Sequence, residues 1–213
     1  MNRTKIEWAD YTINPIKGMC KNDCFYCYAK AMYKRFKWNP EIRVDYKCLE
    51  DLDKIKKPSK IFVGSMHDIF GDWIKDSFIS ELRFYLSHYP QHVFIFLTKN
   101  PSRYLDFEFP KNCWLGETID GTNEDPDSDI SHGKLSNGNI EFVSFEPLIG
   151  KNLPVIKWFD WIIIGGLTGG YKYKRPDKII KKIISEAREN NIPIFLKDNL
   201  KWPEKIQEYP NVD

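Results

Sequence analysis

His92-Val93-Phe94-Ile95-Phe96-Leu97, followed directly by Thr98-Lys99, is an unbroken apolar run that ends on polar residues. Such runs of aromatic and β-branched side chains suit strands buried on both faces, as in parallel sheets covered by helices. The pattern recurs in both directions. Upstream stands Lys60-Ile61-Phe62-Val63-Gly64, entered from Pro58-Ser59, and a short strand is expected between Tyr11 and Pro15. Downstream follow Cys113-Trp114-Leu115-Gly116, Ile140 to Phe145, Asp160-Trp161-Ile162-Ile163-Ile164 and Ile194-Phe195-Leu196. These make about seven strands, mostly parallel by their patterning.

Helical spacing lies between them. One helix is expected from Tyr28 to Lys37, stopping before Asn39-Pro40. A second is expected to start with Asp76 as N-cap, to carry Phe78, Ile79, Leu82, Tyr85 and Leu86 on one face, and to close at Pro90. A third has Pro176 near its first turn, a stripe of Ile179, Ile180, Ile183, Ile184 and Ala187, and Asn190-Asn191 at its end. A closed eightfold β/α barrel takes about 250 residues; this chain has 213. The expected fold is therefore α/β, a partial (open) β/α TIM-type barrel with mostly parallel strands, as a single domain over 1–213. The connection from Asp120 to Asn139 is the exception to this order. It is acidic at Glu124, Asp125, Asp127 and Asp129, then rich in Ser, Gly and Asn, and reads as a surface loop or a substrate lid.

Composition excludes several classes. With 42% hydrophobic, 15% aromatic and 29% charged residues the chain is neither disordered nor fibrous. Thirty-two Lys and Arg against 30 Asp and Glu leave a net charge of +2, so any polyanion site must be a local patch. Two such patches are visible, Lys30-Ala31-Met32-Tyr33-Lys34-Arg35-Phe36-Lys37 and Tyr171-Lys172-Tyr173-Lys174-Arg175, where basic and aromatic residues interleave as they do in proteins that track phosphates and stack bases. A charge run on a helix is more often a solvated face, and the first segment is expected to be helical. No apolar run nears the ~18 residues that cross a bilayer, and Met1 to Trp8 lacks the apolar stretch of a signal peptide. A cytoplasmic protein, without membrane partners, is the expectation.

Chemistry concentrates in Cys20-Lys21-Asn22-Asp23-Cys24-Phe25-Tyr26-Cys27, a C-x3-C-x2-C run in a loop expected over 18–28. In a reducing compartment such crowding speaks for metal or catalysis rather than disulfides. Three thiolates on one loop can grip three corners of a [4Fe-4S] cluster and leave one iron open. The competing reading is zinc, completed by Cys48, Cys113 or one of His67, His88, His92 and His132, although the paired C-x2-C units usual for structural zinc are absent. Cys113, at the head of an apolar strand, reads as a buried free thiol.

Polar residues stand at the carboxyl ends of the expected strands, where β/α folds place their active residues. Ser65, His67 and Asp68 follow one strand, Thr98-Lys99 the next, then Glu117-Thr118, Glu146, Gly165-Gly166-Leu167-Thr168-Gly169-Gly170 and Lys197-Asp198. Lys99 offers an ammonium to a carboxylate. His67 is a candidate proton relay or substrate contact, Glu146 a partner for hydroxyls or an amine, and Gly165-Gly166 a place where backbone can approach a ligand.

The cysteine run resembles the cluster loop of the radical S-adenosylmethionine (SAM) superfamily, with Tyr26 as the aromatic residue before the third cysteine and Cys27-Tyr28-Ala29 similar to the spore photoproduct lyase-like branch. The wider chain is similar to a small phage-associated family. The likeness runs through Thr4-Lys5-Ile6-Glu7-Trp8, Asn14-Pro15, Phe62 to Phe70 and Leu97-Thr98-Lys99, then Trp114-Leu115-Gly116, Ser144 to Leu148, Gly165-Gly166 and Phe195-Leu196-Lys197. The resemblance implies a full or partial β/α barrel, a [4Fe-4S] cluster on Cys20, Cys24 and Cys27, and SAM bound at the open iron. It further implies a 5′-deoxyadenosyl radical that takes hydrogen from a substrate, and a reductant such as flavodoxin or ferredoxin. Tyr26 would lie near the adenine of SAM and Lys99 at its carboxylate. Many members place Gly-Gly-Glu after the second strand to receive the SAM amine; here Ser65-Met66-His67-Asp68 stands there, so Ser65, Asp68 or backbone carbonyls take that part. Two rival expectations remain: a metal-stabilised nucleic-acid-binding module without turnover, and a cluster protein that senses redox state or transfers electrons.

Overall fold

The apolar runs become strands because each buries both of its faces. The computed structural model describes residues 2–122, 138–169 and 171–211; most of the 120–139 connection, Gly170 and His132 lie outside the described residues. In chain order the elements are β1 (Asn2–Arg3), β2 (Tyr11–Ile13), β3 (Ile16–Lys17), α1 (Tyr28–Phe36), β4 (Arg43–Val44), β5 (Lys60–Val63), α2 (Asp76–Leu86), β6 (Val93–Thr98), β7 (Cys113–Thr118), β8 (Ile140–Phe145), β9 (Trp161–Ile164), α3 (Asp177–Glu189) and β10 (Ile194–Leu196). One sheet runs β1-β2-β5-β6-β7-β8-β9-β10. All its neighbours from β2 to β10 are parallel, and only β1 is antiparallel. The seven parallel strands curl into an open half-barrel, as expected.

Three apolar clusters follow from strand alternation. On the outer face α2 covers β2, β5, β6 and β7 through Phe78, Ile79, Leu82 and Leu86. Farther along the same face, Ile180, Ile183 and Ala187 of α3 seal Val143, Ile162 and Ile194. At ~1.5–3 kcal/mol for each fully buried isoleucine, that stripe holds α3 in place. The concave side is filled with aromatics: Trp8, Phe62, Trp114, Phe142, Trp161 and Phe195. This packing blocks the bottom and middle of the half-barrel and leaves the carboxyl ends of the strands free for a site. Among the described residues no helix is long and apolar enough to cross a membrane.

Where an eighth parallel strand would stand, a short tail takes over. Leu196 N–H donates to Ile206 (2.7 Å) and Glu208 N–H to Ile194 (2.9 Å). Trp161 Nε1 donates to the Glu208 carbonyl at 2.8 Å, and Tyr209 stacks on Trp161 with ring centres 5.5 Å apart. The tail then reaches the other end of the wall, its Gln207 and Tyr209 bonding to Glu7.

Some local expectations change. Asp76 is the first residue of α2, not its cap; Lys75 occupies the cap position without a side-chain bond, while the Asp76 carboxylate is taken by Arg103. The helix ends at Leu86, four residues before Pro90, with Ser87 as its cap. Strands β6 and β7 run on to Thr98 and Thr118, so Thr98, Glu117 and Thr118 are strand residues rather than loop residues. The β3–β4 pair, with Ile16 opposite Val44, has no counterpart among the expected elements.

Candidate functional site

Cys20, Cys24 and Cys27 lie in the loop between β3 and α1, all half-buried free thiols lining one cavity of about 160 Å³. Strand ends form its other wall: Gly64, Ser65 and Asp68 after β5, Lys99 after β6, and Thr118 at the end of β7. A tight turn joins the second and third cysteines, Cys27 N–H donating to the Cys24 carbonyl at 3.1 Å. Cys27 also caps α1, its sulfur accepting from Lys30 N–H at 3.5 Å. Burial pushes the Cys20 and Cys24 thiols up, so binding a metal at them releases protons.

The residues after β5 anchor this loop. Tyr28 donates its hydroxyl to the Ser65 carbonyl. His67 faces the Gly18 carbonyl through Nδ1 (3.1 Å) and Trp73 Nε1 through Nε2 (2.9 Å). Because the Trp73 indole can only donate, Nε2 accepts and Nδ1 carries the proton. Burial lowers the His67 pKa, in keeping with that neutral form. With both ring nitrogens bonded, His67 braces the start of the cysteine loop in this arrangement. Asp68 is committed more fully. It accepts four hydrogen bonds, Oδ1 from Phe70 N–H (3.0 Å) and Thr98 Oγ1 (2.7 Å), Oδ2 from Asn22 Nδ2 (2.8 Å) and Lys99 N–H (3.0 Å). One carboxylate thus joins the cysteine loop to the ends of two strands. Asn14 adds a further tie, accepting from Met66 N–H (2.9 Å) and Ser65 Oγ (3.2 Å).

On the opposite side Tyr26 donates to Asp120 Oδ2 at 2.6 Å, and Lys99 Nζ meets the same oxygen at 3.0 Å. Thr122 holds Oδ1 through its N–H (3.0 Å) and hydroxyl (2.5 Å). Burial acts to push the Asp120 carboxyl up, but the bonds from Thr122 and Tyr26 and the Lys99 charge outweigh it and hold it well below the usual carboxylate range. Burial and the adjoining carboxylate push the Tyr26 hydroxyl far up, so it remains a donor.

Glu146 forms an ion pair with Lys197, at the ends of β8 and β10, and its charge reaches the Tyr28 hydroxyl. Gly165 and Gly166 are needed here by the chain itself. A Cβ on Gly165 would stand 2.9 Å from Glu146 Cγ and 3.2 Å from Lys197 Cδ, and one on Gly166 would stand 2.8 Å from the Asn199 carbonyl. The segment after β9 also touches the cysteine loop, Tyr171 donating to the Phe25 carbonyl at 2.7 Å with the two rings edge to face.

Cysteine thiols are the donors that an iron-sulfur cluster takes, and three stand here on one loop. Among the described residues no three His, Cys, Asp or Glu side chains are gathered as ligands of one metal ion. A cubane presents its ligands on separate irons, so its thiolates need not converge on one point. Neither Cys48, bonded to the Asp45 carbonyl at 3.2 Å, nor Cys113, buried in the outer core with its thiol pushed up to about 12, lines the cavity. His88 and His92 lie beyond α2, far from the strand carboxyl ends.

Comparison with known proteins places the chain in a family without naming a reaction. Residues 3–210 match the family described as Protein of unknown function (DUF5131). The chain belongs to that family. No curated protein and no solved structure matches it. In this DUF5131 member, sequence reading overlooked Asp120, Asn14 and Asn22 as parts of the site, and it placed Lys197 at a strand end without its partner Glu146. Asp120 had a usable signal, since it follows β7 as Lys99 follows β6, but it also opens the acidic stretch and was read with it. Asn14 and Asn22 act through the anchoring of the loop, which only the fold reveals.

Proposed function

We propose that the chain is a radical SAM enzyme, with Cys20, Cys24 and Cys27 as ligands of a [4Fe-4S] cluster. The observation that carries this reading is three free thiols of one loop lining one cavity at the carboxyl ends of a parallel half-barrel. When bound and reduced, the cluster supplies one electron to the SAM sulfonium, breaking a C–S bond to give methionine and a 5′-deoxyadenosyl radical, which abstracts hydrogen from the substrate. The chain's own residues position and shield. Lys99 directs its ammonium to the SAM carboxylate, and the Tyr26 ring lies beside the adenine. Asp68, with its acceptor positions taken by protein donors, fixes the loop rather than the ligand, so the amine falls to Ser65 or to backbone carbonyls. Glu146, steadied by Lys197, faces the ribose hydroxyls or the substrate. A cytoplasmic flavodoxin or ferredoxin provides the electron.

Anaerobic reconstitution with iron and sulfide, then dithionite and SAM, is expected to release 5′-deoxyadenosine, and Cys24→Ala to abolish both cluster and product. Colourless, iron-free protein after reconstitution sinks the reading.

A second reading draws support from the contact between Tyr171 and Phe25, which brings the second basic–aromatic segment against the cysteine loop. On this reading the face binds nucleic acid, either as the enzyme's substrate or as the sole function of a metal-stabilised module. One zinc per chain without sulfide, and salt-sensitive oligonucleotide binding without SAM cleavage, would favour the module.

A further inference from the structure

The cysteine loop is tied down on two sides of the cavity, and the ties differ in kind. After β5 it is held by neutral and backbone contacts through Ser65 and His67 and by the Asp68 carboxylate. Across the cavity Asp120 holds it at Tyr26, next to the bond from Tyr171 to the Phe25 carbonyl. Its Oδ2 joins the Tyr26 hydroxyl, between the second and third cysteines, to the ammonium of Lys99. Its Oδ1 is fixed by Thr122. Both partners of the ion pair are largely buried, Asp120 side chain 11% and Lys99 26% exposed. The pairing is therefore weakly screened and geometrically committed. A lysine stem left alone is free to rotate, and ordering it on binding costs affinity. Here the cost is met in advance: one of the three ammonium N–H groups is fixed on Asp120 and the side chain lies over the Tyr26 ring, Nζ 5.7 Å from its centre.

We propose that Asp120 is the positioning residue of this site, fastening the cysteine loop through Tyr26 and aiming the remaining N–H groups of Lys99 at a carboxylate in the cavity. The part about the loop stands by itself; the part about the ligand rests on SAM being bound there.

The test uses the full chain and separates the two. In metal-free protein, hydrogen exchange of the amides from 22 to 28 is expected to quicken about tenfold in Asp120→Ala, the scale of one charge-assisted hydrogen bond. Tyr26→Phe should do the same, and the double variant no more than either alone. Asp120→Asn keeps an oxygen for Tyr26 but sets its NH2 against the Thr122 N–H, so it should restore part of the protection. In reconstituted protein, Asp120→Ala loaded with iron to the wild-type level is expected to bind SAM about tenfold more weakly by calorimetry, with the iron content per chain as control. Unchanged exchange in Asp120→Ala overturns the tether. Quickened exchange with unaltered SAM affinity overturns the aiming of Lys99. Wild-type protein that takes up no iron or no SAM refutes the enzyme reading and, with it, the ligand half of the proposal, while the exchange result still decides the tether.

Discussion

Replacing Asp68 by alanine removes the acceptor for four donors at once, and their fates differ. The Asn22 amide can turn toward water, and the Thr98 hydroxyl can rotate. The Phe70 N–H lies in the tight turn that follows Asp68 and the Lys99 N–H follows directly on β6, so neither backbone donor can turn away as a side chain can. Each unsatisfied buried donor costs about 1–3 kcal/mol, so the two together cost about 2–6 kcal/mol. Against a total stability of about 5–15 kcal/mol for a domain, that is a large loss. Asparagine is instructive because it is nearly the same shape. Every neighbour of the carboxylate is a donor, so whichever way the amide faces, its NH2 opposes one of the two backbone N–H groups, at about half the alanine cost. Urea unfolding of the metal-free protein reads this directly, with the slope expected to stay constant while the midpoint falls in the order wild type, Asp68→Asn, Asp68→Ala. A loss below ~1 kcal/mol for alanine would mean that these N–H groups find other partners, and the account of Asp68 as the junction of loop and sheet would be wrong.

Gly165→Ala sets a methyl against Glu146 and Lys197, whose side chains can shift; about 1–2 kcal/mol should be lost with the ion pair, measurable by urea unfolding. Gly18→Ala is harsher, since φ is +105° and the new Cβ would stand 2.3 Å from the Glu41 carbonyl oxygen; more than ~3 kcal/mol and poor soluble yield are expected. Burial lowers the pKa of His67 and of His92, so the unfolded chain binds more protons and the metal-free fold must weaken as pH falls from about 7 through 6.5 toward the folded values. His67→Gln should flatten that slope between pH 7.5 and 5.5, and an unaltered slope would count against a neutral His67. Cys113, its thiol pushed up to about 12 by burial, should resist alkylation in the native state at pH 8, as read by mass spectrometry of the labelled peptides.

The sheet was legible because each parallel strand writes its double burial as a continuous apolar run, as Val93–Thr98 and Trp161–Ile164 do. The α3 stripe was legible for the complementary reason, one apolar face at helical spacing. What escaped was whatever depends on partners distant in sequence. Asp76 looks like an N-cap in isolation, yet Arg103 claims its carboxylate. Strands β3 and β4, two residues each, are too short for any periodicity. The three cysteines announced themselves by spacing, whereas their mooring did not: the bonds of His67 to Gly18 and of Asp68 to Asn22 span more than 40 residues of chain. Glu146 and Lys197 stood out as separate strand ends, and only the curl of the sheet brings them together across Gly165.

The tail that stands in for a missing strand has its own bearing on how this protein should be handled. A strand wedged into a ring can leave only if the ring breaks, whereas this clasp is secured wholly by contacts of the four residues from Ile206 to Tyr209: backbone bonds to β10, the Glu208 ion pair with Arg188, and the Tyr209 ring on Trp161 and Phe195. Trimming the chain after Lys205 would expose the indole of Trp161 to water while every parallel strand kept its neighbours. A purification handle fused directly behind that segment risks the same wetting, and the emission of the buried tryptophans would report it.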